Sequence, residues 1–272
     1  MKAQGQKYLA ELFGTFILVF VGSAAIIALL KAGFAAGVLI TVPFAFGLAL
    51  MAGLYAFAEV SGGHFNPAVS LAMFLDRRLS VVDLAGYWLF QFAGAVLASA
   101  VLVLAFNKTA VKGTATVPGF GKGAAVVFEI VLTAIFILVI LQVTKSGAFG
   151  SSALIAIPLT LVAIHVAAIP VSGASVNPAR TLAPALIGNK WDAEWIYFLG
   201  PAAGAILGWL VHTIVVQGDF DLRDNVAAVA GEVEGEFEGG GAAVSDDQPD
   251  PAAPEWGTET DAQSDDQRAD KD

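Results

Sequence analysis

The chain has no cysteine, so disulfides, thiolate nucleophiles and cysteine metal sites are excluded from the outset. Charge is also scarce: charged residues make up 14% of the 272, against 57% hydrophobic residues and a mean hydropathy of +0.73. An ordinary soluble domain carries about 25% charged residues, so this composition points to a bilayer. The few charges are unevenly placed. Before Gln217 there are 7 acidic and 11 basic residues and from there on 17 and 3, so a part at +4 is followed by a tail at −14. With three His and no nucleophile–base pair or cluster of metal-ligating side chains, neither an enzyme nor a cofactor or metal is expected, and nothing points to nucleic acid.

What is present is apolar sequence in long runs. Six stretches, roughly Tyr8 to Leu30, Val38 to Ala58, Leu84 to Phe106, Gly123 to Thr144, Ser152 to Val171 and Trp195 to Val216, each approach the length that crosses a hydrocarbon core. The first is too long for a signal-peptide core and carries Glu11, so it reads as a retained span. Residues 218–272, with runs such as Glu232-Val233-Glu234-Gly235-Glu236, bury too little apolar area to offset chain entropy and are expected to form a disordered acidic tail.

Inside this apolar chain the tripeptide Asn-Pro-Ala occurs twice, at Asn66-Pro67-Ala68 and Asn177-Pro178-Ala179, each led in by Ser-Gly at Ser61-Gly62 and Ser172-Gly173. Asn caps a helix by accepting from the free N–H groups of its first turn, and Pro loses nothing at the first helical position. Each tripeptide therefore starts a helix. The runs to Leu75 and to Ile187 are about ten residues, or about 15 Å, which is half of a core about 30 Å thick. They are half-spanning.

The repetition is wider than the tripeptides. Tyr87, Leu89, Ala93, Gly94 and Ala95 recur as Tyr197, Leu199, Ala203, Gly204 and Ala205, and Glu11 with Thr15 recurs as Glu129 with Thr133. Two repeats, about 5–106 and 123–217, each hold three spans, so the second enters the bilayer inverted and the half-helices meet head to head. Lys and Arg divide five against five between the two sides and do not fix orientation. The even span count and the polyanionic tail put both termini in the cytoplasm, in a multi-pass protein of the plasma membrane.

Non-helical backbone at membrane depth survives where it is buried in protein or lines a wet cavity, so 61–65 and 172–176 are expected to line a water-filled path. Two helix N-termini facing each other place about half a positive charge each at the midplane and repel cations. A water accepting from Asn66 and Asn177 turns its own protons outward, which breaks a proton wire. An ion-coupled transporter, the rival reading from inverted repeats, would need an ionisable midplane group where these two neutral Asn stand.

On these motifs, over residues 5 to 217, the chain resembles the aquaporin, or major intrinsic protein, family. The resemblance implies an all-α hourglass of six spans and two re-entrant half-helices, a homotetramer with one pore per subunit, and water as the permeant. It also implies a selectivity filter, which carries over to Phe46, His165, Ala174 and Arg180, the Ala leaving the filter slightly wide, and it makes Glu11 and Glu129 anchors that accept from the loops' N–H groups. Phe, His and Arg together look like the water-selective branch. Glycerol facilitators usually carry Asp and Arg where this chain has Thr181 and Ala185, and Tyr197-Phe198 is similar to water channels. Passage of glycerol or another small neutral solute is the alternative. For His64, two readings stand: it faces the pore or ties down its loop.

Overall fold

The computed structural model describes residues 2–145, 152–218 and 222–238. All regular structure among the described residues is helical, in the order α1 (Lys2–Lys31), α2 (Val38–Ser61), α3 (Pro67–Leu75), α4 (Val81–Ala105), α5 (Lys108–Lys112), α6 (Lys122–Lys145), α7 (Ala153–Ser172), α8 (Pro178–Gly188), α9 (Ile196–Val211) and α10 (Leu222–Glu238). A wider π turn, His212–Gln217, prolongs α9. Six of these helices, α1, α2, α4, α6, α7 and α9 with its extension, are long and apolar enough to cross a membrane. The short α3 and α8 lie between them.

The local causes are those legible in the sequence. The Asn66 side chain accepts from the N–H of Ala68 and the Asn177 side chain from those of Ala179 and Arg180, with Pro67 and Pro178 in the first helical position. The preceding spans stop at Gly62 and Gly173, each with a φ of 81°, a left-handed value that glycine adopts without the steric cost of a Cβ.

The repeats are related in packing as well as in sequence. A Cβ on Gly94 of α4 would lie 2.2 Å from the Leu12 carbonyl oxygen of α1, and one on Gly204 of α9 would lie 2.5 Å from that of Ile130 in α6. Backbone approach this close is what small residues permit where helices cross in lipid. The α1/α4 and α6/α9 crossings thus occupy equivalent places, and they set the carboxylates of Glu11 and Glu129 beside α3 and α8.

Part of the segment expected to be disordered is ordered helix. In α10, Val229 and Val233, one helical turn apart, pack against the main apolar cluster, and a Glu236 carboxylate oxygen accepts from the Val82 N–H at 3.2 Å, at the start of α4. Composition hid this because the apolar stripe is two residues wide in an acidic background. Residues 239–272 lie outside the described residues.

Candidate functional site

Each half-helix hangs on one buried carboxylate. Glu11 Oε1 accepts from the Ser61 hydroxyl at 2.7 Å and the His64 N–H at 2.9 Å, and Oε2 from the Phe65 N–H at 2.6 Å. Glu129 accepts from the Ser172 hydroxyl at 2.8 Å, the Ser175 N–H at 2.9 Å and the Val176 N–H at 2.7 Å. Tyr87 and Tyr197 donate to the carbonyls of Ser61 and Ser172, both at 2.7 Å. These bonds account for the donors that two irregular loops would otherwise bury unpaired.

So held, the loops clasp each other. Asn66 Nδ2 donates to the Val176 carbonyl at 2.8 Å, and Asn177 Nδ2 donates to the Phe65 carbonyl at 2.9 Å. One amide proton of each Asn is spent on the opposite loop, which leaves the second for the cavity that both residues border. Phe65 and Val176, with φ of 48° and 44°, take the left-handed conformation that points their carbonyls at these amides.

A single cavity runs along the clasp. Met73, Ile140, Thr144, Asn66, Asn177, Phe46, His165 and Arg180 all border it. The Arg180 guanidinium lies 5.0 Å from the Phe46 ring centroid, and the His165 ring stacks on Phe46 at 4.9 Å. His165 Nδ1 is 3.0 Å from the Leu161 carbonyl, which can only accept, so in the neutral ring Nδ1 carries the proton and Nε2 is an acceptor with no protein partner. Arg180 gives one bond, from Nη1 to the Thr114 carbonyl at 3.3 Å, and its Nε–H has none. The constriction therefore offers a passing molecule both donors and an acceptor, between aromatic and aliphatic walls.

Ala174 differs from the other three expected filter residues. It is fully buried, its φ of 50° carries it through the left-handed turn after Gly173, and it does not border the cavity. His64 borders the cavity, and its Nδ1 is 3.0 Å from the Ser70 hydroxyl.

Several supporting groups carry no sequence signal of their own. Gln91 bridges Glu11 and Ser70 at 2.7 and 2.9 Å, yet the equivalent place in the second repeat holds Pro201. Thr114 supports Arg180 through its backbone, which no side-chain pattern marks. Ser61, Ser172, Tyr87 and Tyr197 were detectable, because they recur in register.

With this geometry in place, comparison with known proteins is informative. The family model described as major intrinsic protein matches residues 2–212. The chain is 40% identical over 210 residues to glycerol uptake facilitator protein-like 6 of Lactiplantibacillus plantarum, covering 74% of this chain and 94% of that one. It is 42% identical over 216 residues to aquaporin NIP1-4 of Oryza sativa, covering 79% and 78%, and 37% identical over 229 residues to aquaporin Z of Photorhabdus laumondii, covering 77% and 97%. Among solved structures, the aquaglyceroporin from Plasmodium falciparum matches in fold with a TM-score of 0.71 at 21% identity, over 78% of this chain and 97% of that one.

Proposed function

The chain belongs to the major intrinsic protein family of passive channels, and from that premise we propose that it conducts water in both directions down an osmotic gradient while excluding ions and protons. The observation that carries this reading is the reciprocal clasp of Asn66 and Asn177 at the wall of one cavity. Each Asn keeps one amide proton for the lumen. A water that accepts from both is turned so that its own protons point away along the file, and no continuous relay passes that point. Two converging helix N-termini and the fixed charge of Arg180 add an electrostatic barrier to cations.

Preference for water over larger solutes rests on Phe46, His165, Ala174 and Arg180, which form the filter in this reading. Glu11 and Glu129 act as anchors, and His64 is part of the lumen wall. A homotetramer in the plasma membrane, with both termini and the acidic tail in the cytoplasm, completes the proposal.

A second reading, permeation of glycerol or another small neutral solute, is favoured by the similarity to the Lactiplantibacillus glycerol uptake facilitator protein-like 6. Stopped-flow light scattering of proteoliposomes separates the two. A sucrose gradient should produce shrinkage faster than in empty vesicles, and a glycerol gradient should produce shrinkage with little re-swelling. Fast re-swelling would replace the water-selective reading with the facilitator one, and no acceleration in sucrose would remove conduction altogether.

A further inference from the structure

The filter Arg is held from outside the two half-helices. Between α5 and α6 the chain, residues 113–121, lies as a strap across the filter loop. A Cβ on Gly173 would lie 3.0 Å from the Val117 nitrogen, and one on Gly119 would lie 2.3 Å from the Pro170 carbonyl oxygen. Within this strap Thr114 supplies the carbonyl that receives Arg180 Nη1 at 3.3 Å, the one hydrogen bond the guanidinium makes among the described residues. Where Arg180 stands is therefore set by where the strap stands.

What fixes the strap beside Thr114 is a chain of hydroxyls. Ser175 Oγ donates to the Asn177 carbonyl at 2.9 Å, so its single proton is spent. Its contact of 2.6 Å with Thr181 Oγ1 is then donated by Thr181, and the contact of 2.9 Å between Thr181 Oγ1 and Thr116 Oγ1 is donated by Thr116. Each hydroxyl donates once, in one direction, from the strap through the third residue after the Pro of α8 back to the Asn that caps the same helix. All three hydroxyl-bearing residues are buried, with Ser175 also bordering the cavity. The first repeat has no such chain to a strap: there the equivalents of Ser175 and Thr181 are His64 and Ser70, and Gln91 bonds Ser70 instead.

The geometry points to Thr116 as a positioning residue for selectivity: its hydroxyl pins the strap to α8 and so holds the Thr114 carbonyl, and with it Arg180, across the lumen. This rests on the reading of Arg180 as part of the filter. Thr116 does not touch the permeant, and it acts through the Arg.

The test is the ratio of glycerol to osmotic water permeability in proteoliposomes of equal channel content, for wild type, Thr116→Val, Thr116→Ser and Arg180→Val. Valine keeps the volume and removes only the donor, and Thr181 keeps its own bond to Ser175. The ratio should rise about two- to tenfold in Thr116→Val, the factor that losing one ordinary hydrogen bond allows. It should stay at the wild-type value in Thr116→Ser and rise at least as far in Arg180→Val. A purely structural role would lower both permeabilities together with the amount of folded tetramer and leave the ratio unmoved. An unchanged ratio in Thr116→Val beside a raised one in Arg180→Val overturns the positioning role and spares the filter reading. An unchanged ratio in both overturns both. A rise in Thr116→Ser equal to that in Thr116→Val overturns it too, since the lost methyl group would then be responsible.

Discussion

One fixed charge dominates the residue scale. Arg180 is buried against Phe46, bonded to one carbonyl, and set in a wall otherwise built from neutral groups. Intramembrane charge is costly, and this one borders the cavity. Arg180→Val should therefore leave a folded channel that leaks protons or larger solutes; retention of wild-type selectivity in the liposome assay would show that the guanidinium does not guard the passage. Inorganic mercury should leave water permeability unchanged, because no thiol exists for it to bind. Inhibition at concentrations that block cysteine-bearing channels would contradict this. Outside the spans, Glu194 is 7% exposed, and burial pushes its carboxyl above the usual value of 4.5. The ionised form is thus disfavoured in the folded state, a cost present above the folded pKa and absent below the unfolded one. Glu194→Gln should raise the melting temperature at pH 8, and the gain should vanish near pH 4; a gain that does not change with pH would contradict the assignment.

At the scale of elements, the two re-entrant segments depend on buried acceptors more than on their own helix propensity. Nine and eleven residues form marginal helices alone. Removing Glu129 orphans the donors of Ser172, Ser175 and Val176, at a cost of about 1–3 kcal/mol each. Glu11→Ala and Glu129→Ala should each abolish conductance and lower thermal stability in detergent by a comparable amount, as equivalent positions of two repeats. A marked loss in one variant and none in the other would break that equivalence. The half-helices, their caps and these carboxylates were legible because each signal occurs twice in register, and coincidence rarely repeats a spacing. The strap was not, since its grip on Arg180 is a backbone carbonyl and a threonine with no partner in the other repeat. Gln91 was hidden for the same reason. In α10, two valines a turn apart were too few to register against the acidic composition around them.

For the whole molecule, the consequence of inverted repetition is that two identical local solutions, a carboxylate and a capped half-helix, build one passage with opposed halves. Neither repeat holds a complete pore, because each Asn is fixed by a carbonyl from the other repeat. The apolar exterior includes Leu104 at 86% exposed and Val215 at 72%, surface that lipid or a second copy covers. The central claim is that water crosses this passage and protons do not. It is tested most directly by recording osmotic shrinkage and an entrapped pH-sensitive dye in the same proteoliposomes, under an osmotic gradient and then under a pH gradient. The account predicts water flux well above that of empty vesicles, with a dye response no faster than theirs. Proton flux that rises with channel content alongside water flux would contradict it.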